Sequence, residues 1–185
     1  MTGWSKIARR IRVPMGFALV VLYLYLAQPT WRSLLWGSLG IVPGLLLRAR
    51  ASGHVRKNEA LATSGPYAYT RNPLYAGSLL IGAGFAVASR SWGIGLALAA
   101  MFVAIYLPVI RDEESFLRDR FPEFEEYARQ VPRMLPRLSP SPVNKNDPRG
   151  RFCFDLYLKH REYNAAAGAV ALILVLIAKM TLLGK

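Results

Sequence analysis

Arginine, asparagine and proline stand directly before the third apolar segment of the chain, as Arg71-Asn72-Pro73. Asparagine favours the N-cap of a helix and proline its first turn, so the triplet predicts that a helix begins here. A helix dipole disfavours a cation at this end, which leaves Arg71 unexplained by capping. An arginine beside a helix N-terminus can bind an anion, such as a cofactor carboxylate or an acidic substrate. The structural alternative is an arginine at a membrane border, where this residue is common.

Three acidic residues, Asp112-Glu113-Glu114, follow the fourth apolar segment in a region whose charge is otherwise mostly basic. One interpretation is that they are solvated or paired with neighbouring arginines at the end of a helix. The other is that one glutamate binds a cationic group of a ligand. Adjacent residues on a helix point about 100° apart, so we expect only one of Glu113 and Glu114 to face a site, and we favour Glu114.

Aromatic residues and a glycine surround the arginine triplet. Tyr67, Tyr69 and Tyr75 are typical of a membrane interface, but their rings could also line an adenine pocket or pack against a ligand cation. Gly77 lies four residues after Pro73. It either permits close packing of two helices or leaves room for a cofactor, and the sequence favours neither interpretation.

Three blocks of sequence together resemble the superfamily of isoprenylcysteine carboxyl methyltransferases and phospholipid N-methyltransferases. The blocks are residues 61–77, Glu113-Glu114-Ser115-Phe116-Leu117 and the stretch from Phe121 to Pro136. The resemblance covers roughly residues 54–137. It implies an integral membrane enzyme that transfers a methyl group from S-adenosylmethionine to a lipophilic acceptor, such as an isoprenylcysteine carboxylate or a phospholipid amine.

The resemblance also implies roles for individual residues. The implied catalytic residues are Arg71, Glu114 and Arg133, and the implied cofactor-binding residues are His54, Gly65, Tyr67, Arg71, Asn72, Pro73, Tyr75, Gly77, Glu113 and Glu114. One position departs from the family pattern, because the relatives usually have histidine where this chain has Asn72. Asparagine does not titrate near neutral pH, so we assign no general base to this position.

Apolar segments must position these blocks. The chain has 185 residues, 53% of them hydrophobic, and a net charge of +13. Its apolar residues are concentrated in segments with the charges between them, which is typical of a polytopic membrane protein. The predicted fold is therefore all-α, with five spans at Val13 to Ala27, Trp31 to Leu47, Leu74 to Ser89, Trp92 to Ile110 and Ala165 to Met180.

Shorter elements complete a single membrane domain over residues 1–185, whose motif core is 54–137. Apolar residues at three- to four-residue spacing over 116–131, interrupted by Pro122, predict an amphipathic helix lying on the membrane. A Ser-Pro-rich linker is predicted at about 139–149. The C-terminal piece, 151–185, is predicted to contain a short interfacial helix and the last span.

Basic residues predict the orientation. The chain has 24 lysines and arginines, and twenty of them lie in three regions: before the first span, between the second and third spans, and between the fourth and fifth spans. The positive-inside rule then places the N-terminus and both motif loops in the cytoplasm and the C-terminus outside. Because this rule accounts for most of the basic surplus, we expect a membrane and a lipid as partners rather than a nucleic acid.

Other sites and folds are excluded or left open by composition. Cys153 is the only cysteine, so no internal disulfide can form, and with two histidines the chain is too poor in ligands for a zinc site. The glycine-rich fingerprint of a Rossmann domain is missing. Two alternatives remain, an NADPH-dependent membrane reductase of the sterol-reductase type and a non-catalytic lipid-binding membrane protein. The identity of the acceptor, the atom that is methylated and the oligomeric state stay open.

Overall fold

The computed structural model describes residues 3–56, 59–141 and 151–182, and within these ranges every regular element is helical. The all-α prediction is confirmed. The helices are α1 (Gly3–Leu26), α2 (Trp31–Ser52), α3 (Pro73–Ser89), α4 (Trp92–Met101), α5 (Leu107–Arg120), α6 (Phe124–Gln130), α7 (Phe154–Lys159) and α8 (Tyr163–Leu182). A single 3₁₀ turn occupies Gly65–Ala68, and a π-helical turn at Phe102–Tyr106 joins α4 to α5. Most of the predicted linker lies outside the described residues.

Each of the five predicted apolar segments is helical. Three helices are long and apolar enough to cross a membrane by length and composition: Trp31–Ser52, Trp92–Arg120 and Tyr163–Leu182. The apolar helices Val13–Leu26 and Pro73–Ser89 are shorter. The helix that contains the fourth segment is therefore the longest of the five, and it carries the acidic block in its second half.

Helices α2 and α3 approach each other through glycines. A Cβ on Gly37 would lie 2.6 Å from the carbonyl oxygen of Gly84, and a Cβ on Gly44 would lie 2.7 Å from that of Gly77. At these distances no side chain fits between the two backbones, as in small-residue packing of membrane helices. The close contact fixes the first turns of α3, directly after the arginine triplet.

The helix of the fourth apolar segment continues past the predicted end of the span at Ile110 as far as Arg120, so the acidic block lies within a helix and not at its end. No helix-breaking residue follows Ile110 until Pro122, which restricts the residue before it to extended backbone. Phe121 accordingly has φ −124° and ψ 109°. The predicted helix over 116–131 is also corrected, because its first five residues belong to α5 and only Phe124–Gln130 forms a separate helix.

A small apolar cluster holds α6 in place. Phe124, Tyr127 and Val131 are almost fully buried and pack against Leu61 and Leu117. The hydroxyl of Tyr127 also donates a hydrogen bond of 2.8 Å to a carbonyl oxygen of the 3₁₀ turn, that of residue 67. The cluster therefore fastens α6 to the loop that precedes α3.

The C-terminal segment folds back onto the end of α2. The backbone N–H of Cys153 donates to the carbonyl oxygen of Gly53 at 2.9 Å, and Nδ1 of His160 lies 3.2 Å from the carbonyl oxygen of Ser52. The predicted short helix is present as α7, and a turn at Arg161, with φ 53°, leads into α8. The last helix is thus tied to the end of α2 that precedes the motif core.

Candidate active site

The loop before α3 is paired with the segment after α6. We call residues 65–72 the motif loop and residues 131–141 the closing segment. Three backbone hydrogen bonds of 2.9 Å join them: Arg71 N to Pro132 O, Arg137 N to Tyr69 O and Ser141 N to Ala68 O. The hydroxyl of Thr70 lies 3.1 Å from the carbonyl oxygens of both Arg133 and Met134. Together the two segments form one hydrogen-bonded layer.

Glu114 is the centre of an ionic cluster on one side of this layer. Its carboxylate projects from α5 and is only 4% exposed. Oε2 accepts a hydrogen bond from Nε of Arg133 at 2.9 Å and lies 2.8 Å from its Nη2, and Oε1 accepts a hydrogen bond from Nδ2 of Asn72 at 3.1 Å. Nε of Arg71 lies 3.6 Å from Oε1. Two cations and an amide therefore compensate the buried charge, as buried ion pairs require.

Asn72 occupies the N-cap position of α3, but its side chain makes no capping hydrogen bond. Nδ2 instead donates to Glu114 and, also at 3.1 Å, to the carbonyl oxygen of Arg133. The predicted start of the helix is confirmed, but the side chain does not cap it, because hydrogen bonds from Nδ2 to a carboxylate and a carbonyl oxygen hold the amide in a different orientation. Pro73 stands at the first turn of α3 and is buried, as predicted.

A cavity of about 360 Å³, which we call the polar cavity, opens beside this cluster. Aromatic and charged side chains line it, among them Arg56, Tyr67, Arg71, Asn72, Tyr75, Glu113, Glu114, Phe116, Phe121, Phe124 and Tyr127. Nε of Arg71 is buried and has no hydrogen-bond partner among the described residues. The hydroxyl of Tyr75 donates to Oε1 of Glu113 at 3.0 Å. The cavity thus presents a guanidinium with unused hydrogen-bonding capacity and a second carboxylate.

Two tyrosines of the polar cavity remain protonated to high pH. Burial raises the pKa of Tyr67, and burial is also the main reason that the pKa of Tyr127 is raised. Tyr127 donates its hydroxyl proton to the backbone of the motif loop. Their role is therefore to shape the cavity and to donate hydrogen bonds.

A second and larger cavity of about 840 Å³, the apolar cavity, lies on the other face of the layer. Its described lining is mostly aliphatic and contains no acid: Leu47, Arg50, His54, Gly65, Pro66, Tyr69, Thr70, Ala76, Leu79, Leu80, Ala83, Met134, Leu135 and Pro136. Thr70 lines this cavity while Arg71 lines the polar one. The motif loop therefore presents consecutive residues to two different cavities.

The structure brings together six of the implied cofactor-binding residues on the polar cavity: Tyr67, Arg71, Asn72, Tyr75, Glu113 and Glu114. His54 and Gly65 instead face the apolar cavity. Gly65 has φ +57°, and a Cβ there would lie 2.4 Å from Nε2 of His54. Nδ1 of that histidine lies 2.7 Å from the carbonyl oxygen of Arg50. These two residues are placed together, but apart from the ionic cluster.

Gly77 lies at the crossing of α2 and α3. A Cβ there would lie 2.8 Å from the carbonyl oxygen of Gly44 and 2.6 Å from Cγ of Arg48. Of the two interpretations of this glycine, close packing accounts for its position. The resemblance implies that the 116–131 stretch covers the cofactor pocket without naming individual site residues in it, and its Phe116 and Leu117 line the polar cavity. Their spacing of three residues from Glu113 and Glu114 on one helix is the signal that could have placed them there.

Comparison with known proteins identifies the part of the chain that carries this cluster. Residues 48–123 match a family described as phospholipid methyltransferase. This stretch belongs to that family. The family is part of the integral membrane methyltransferase superfamily, which confirms the resemblance seen in the sequence. Arg71, Asn72, Glu113 and Glu114 lie inside the matched residues and Arg133 lies beyond them.

Two curated relatives are named for resistance to metals. The chain is 48% identical over 84 residues to the cobalt-zinc-cadmium resistance protein CzcN of Cupriavidus metallidurans, covering 45% of this chain and 39% of the relative. It is 35% identical over 135 residues to the nickel-cobalt-cadmium resistance protein NccN of Alcaligenes xylosoxydans xylosoxydans, covering 69% and 63%. The chain thus spans less than two thirds of either relative. No solved structure matches it.

The family and the apolar helices together support a membrane protein. Within the described parts of the chain, no three His, Cys, Asp or Glu side chains are grouped so that they could hold a metal ion.

Proposed function

We propose that this chain transfers a methyl group from S-adenosylmethionine to a lipophilic acceptor that reaches the enzyme from the membrane. One observation carries the proposal: within a phospholipid methyltransferase segment, Arg71, whose buried Nε has no hydrogen-bond partner among the described residues, lines a cavity together with carboxylates and tyrosines. The polar cavity, at about 360 Å³, lies within the usual size range of small-molecule sites.

The residues of the polar cavity fit the chemical groups of this cofactor. Arg71 would bind the carboxylate of the methionine part, because its Nε has no other hydrogen-bond partner among the described residues. Glu113 would face the ammonium group, since its carboxylate accepts a hydrogen bond only at Oε1, from Tyr75, in the described contacts. Phe116, Phe121 and Tyr67 would supply apolar surface for the adenosine.

Glu114 has a different role in this proposal. Each of its oxygens already accepts a hydrogen bond, one from Arg133 and one from Asn72, and Nη2 of Arg133 lies 2.8 Å from Oε2. It would therefore hold the cations of the site in place rather than bind the ammonium group itself. By keeping Arg71 within 3.6 Å, Glu114 orients the guanidinium toward the cavity and compensates its charge.

The mechanism requires alignment more than acid–base chemistry. S-adenosylmethionine supplies a methyl group that is already activated by its sulfonium sulfur. The bond from sulfur to this methyl group breaks as the bond to an oxygen, nitrogen or sulfur of the acceptor forms. The chain must therefore hold the two reactants in line and exclude water. Arg71 and Glu113 would fix one reactant, and the aromatic residues of α5 and α6 would cover it.

The acceptor would enter between α3 and α4. A groove of about 380 Å³ lies between these helices, and its described lining carries no charge: Ser78, Leu79, Gly82, Ala83, Ala86, Gly95, Leu98, Ala99, Met101, Phe102 and Tyr106. Tyr106 packs edge-on against Tyr75 of the polar cavity, with ring centroids 5.9 Å apart. This tyrosine pair would link the groove to the polar cavity, and Leu79 and Ala83 line both the groove and the apolar cavity.

Orientation and domain organisation follow the same proposal. The distribution of basic residues would place the N-terminus and the motif loop in the cytoplasm, where the cofactor is made, and the C-terminus outside. The chain would form one methyltransferase domain, because both the closing segment and the C-terminal segment contact the motif core.

Calorimetry with detergent-purified protein tests the cofactor, and methyl-labelled S-adenosylmethionine added to membranes tests the acceptor class. We expect S-adenosylhomocysteine to bind with micromolar affinity and label to appear in the lipid extract. Absence of binding by folded protein would contradict the proposal. Binding of NADPH in its place would support a reductase, and binding of lipid alone would support a non-catalytic protein.

The names of the two relatives suggest a setting in which to measure the activity in cells. We propose that methylation of a membrane acceptor contributes to tolerance of cadmium or cobalt. A host strain that lacks the gene should regain tolerance with the wild-type chain and not with Arg71→Ala. If the wild-type chain and Arg71→Ala restored tolerance equally, methyl transfer would not contribute to tolerance.

A further inference from the structure

A second ion pair, half-buried, lies outside the ionic cluster of Glu114. It joins Arg48, near the end of α2, to Glu162, just before α8. Nε of Arg48 donates to Oε2 at 3.0 Å, and Nη2 donates to Oε1 and Oε2 at 2.7 and 2.8 Å. The side chains are 23% and 11% exposed. The contact is bidentate, the strongest geometry for an arginine–carboxylate pair.

The arginine of this pair also contacts the first turns of α3. Its Nη1 donates to the carbonyl oxygen of Leu74 at 3.2 Å and to Oγ of Ser78 at 2.5 Å. The stem of the side chain lies against Gly77, where a Cβ would approach Cγ to 2.6 Å. Leu74 lines the polar cavity. The positive charge of Arg48 is therefore held directly behind the cavity wall.

Both charges act on a residue of the polar cavity. Burial is the main reason that the pKa of Tyr67 is raised; among the charges around it, those of Glu113 and Glu162 raise this pKa further and that of Arg48 lowers it. Removing either partner of the pair would therefore change the electrostatic potential inside the cavity and leave the residues that line it unchanged.

We propose that Glu162 compensates the charge of Arg48 so that the polar cavity can hold a cationic ligand. This inference rests on the proposed function, in which the cofactor carries a sulfonium cation. It makes the C-terminal segment part of the methyltransferase unit, although Glu162 lies outside the residues that match the family. Contacts of Cys153 and His160 with the end of α2 hold that segment in register.

Two ligands that differ in one charge test the inference. S-adenosylmethionine carries a positive sulfur, whereas the sulfur of S-adenosylhomocysteine is neutral. Calorimetry should show that Glu162→Gln weakens the first ligand about three- to tenfold more than the second, because an unpaired arginine is left behind the cavity. Arg48→Gln should shift the ratio of affinities in the opposite direction, and the double variant should restore it. A loss of structure would weaken both ligands together and could not produce opposite shifts.

Asp155→Asn is the matched control, because it removes one acidic charge from an exposed position of the same segment. It should leave the ratio unchanged. If both single variants fold and bind the two ligands with the wild-type ratio of affinities, the inference about Glu162 is overturned and the proposed function is not affected. Failure of the wild-type protein to bind either ligand would overturn the proposed function and this inference with it. If Glu162→Gln does not fold, the shift in Arg48→Gln decides.

Discussion

The polar and apolar cavities share one wall but differ in the charge and polarity of the side chains that line them. The wall is the layer formed by the motif loop and the closing segment. On one face Arg71 stands beside Glu114, with Glu113 nearby, and on the other Arg50 and His54 border a mostly aliphatic space. Tyr69 and Thr70 line the apolar cavity whereas Arg71 and Asn72 line the polar one, so neighbouring residues of one motif serve different cavities. Proximity in the sequence is therefore a poor guide to shared function in this loop.

The difference between the cavities predicts which substitutions affect the cofactor. Residues of the polar cavity should change cofactor binding, whereas those of the apolar cavity should change stability or have no effect. The following predictions test this division, beginning with the largest expected effect.

Glu114→Gln should have the largest effect, because it leaves Arg71 and Arg133 without their buried counter-ion. We expect a loss of stability on the order of 3 kcal/mol, which thermal unfolding in detergent would measure, together with weak cofactor binding. Glu113→Gln is the control, since this neighbouring side chain is exposed, and it should unfold close to the wild-type temperature. Equal stability of both variants would contradict the ionic cluster.

Gly65→Ala should reduce stability without changing cofactor affinity. The residue has φ +57°, and a new Cβ would meet the ring of His54 on the apolar side. We expect a cost of about 1–2 kcal/mol from the unfavourable backbone conformation and the contact. Gly95→Ala, whose Cβ would meet nothing within 4 Å, is the control. Loss of affinity in a fully stable Gly65→Ala protein would argue that the cofactor touches this turn.

Tyr75→Phe should weaken the binding of S-adenosylhomocysteine about fivefold, the equivalent of one hydrogen bond of about 1 kcal/mol. The lost contact is the one that orients Glu113. Tyr69→Phe makes the same chemical change on the apolar side, and calorimetry should find it indistinguishable from the wild type. A larger effect of Tyr69→Phe would reverse the assignment of the two cavities.

His54→Ala should change the affinity for the cofactor least, within about twofold, because none of the contacts described for this ring involves a residue that lines the polar cavity. Its Nδ1 lies 2.7 Å from the carbonyl oxygen of Arg50, and the ring also contacts Gly65 and Phe152. A tenfold loss of affinity for S-adenosylhomocysteine would return this histidine to the cofactor site implied by the family resemblance.

The sequence predicted the apolar helices correctly, and six of the ten residues that it suggested for a cofactor site line one cavity, since hydrophobic segments and short blocks of polar residues are local signals. It failed where the outcome depends on contacts across the fold. The side-chain amide of Asn72 donates a hydrogen bond to Glu114, 42 positions away, and makes no capping hydrogen bond. His54 and Arg71 line cavities on opposite faces of the hydrogen-bonded layer. Half of that layer is the closing segment, residues 131–141, which lies far from both residues in the sequence.

Arg48 and Glu162 illustrate the same limit more strongly. They are 114 positions apart, and no periodicity or motif connects them. Helix α5 shows a local limit, because charged residues after Ile110 marked the end of an apolar segment but not the end of the helix. Hydropathy predicts where a membrane segment stops, whereas the helix stops only where Pro122 requires it.

The most direct test of the central claim, that the cofactor occupies the polar cavity, compares two arginines on opposite faces of the layer. Calorimetric titration with S-adenosylhomocysteine would be carried out on the wild type, Arg71→Ala and Arg50→Ala. We expect Arg71→Ala to lower the affinity at least about tenfold, since hydrogen bonds to charged groups contribute about 1.5–3 kcal/mol, and Arg50→Ala to leave it unchanged. Loss of binding in Arg50→Ala with normal binding in Arg71→Ala would contradict the account and place the cofactor in the apolar cavity.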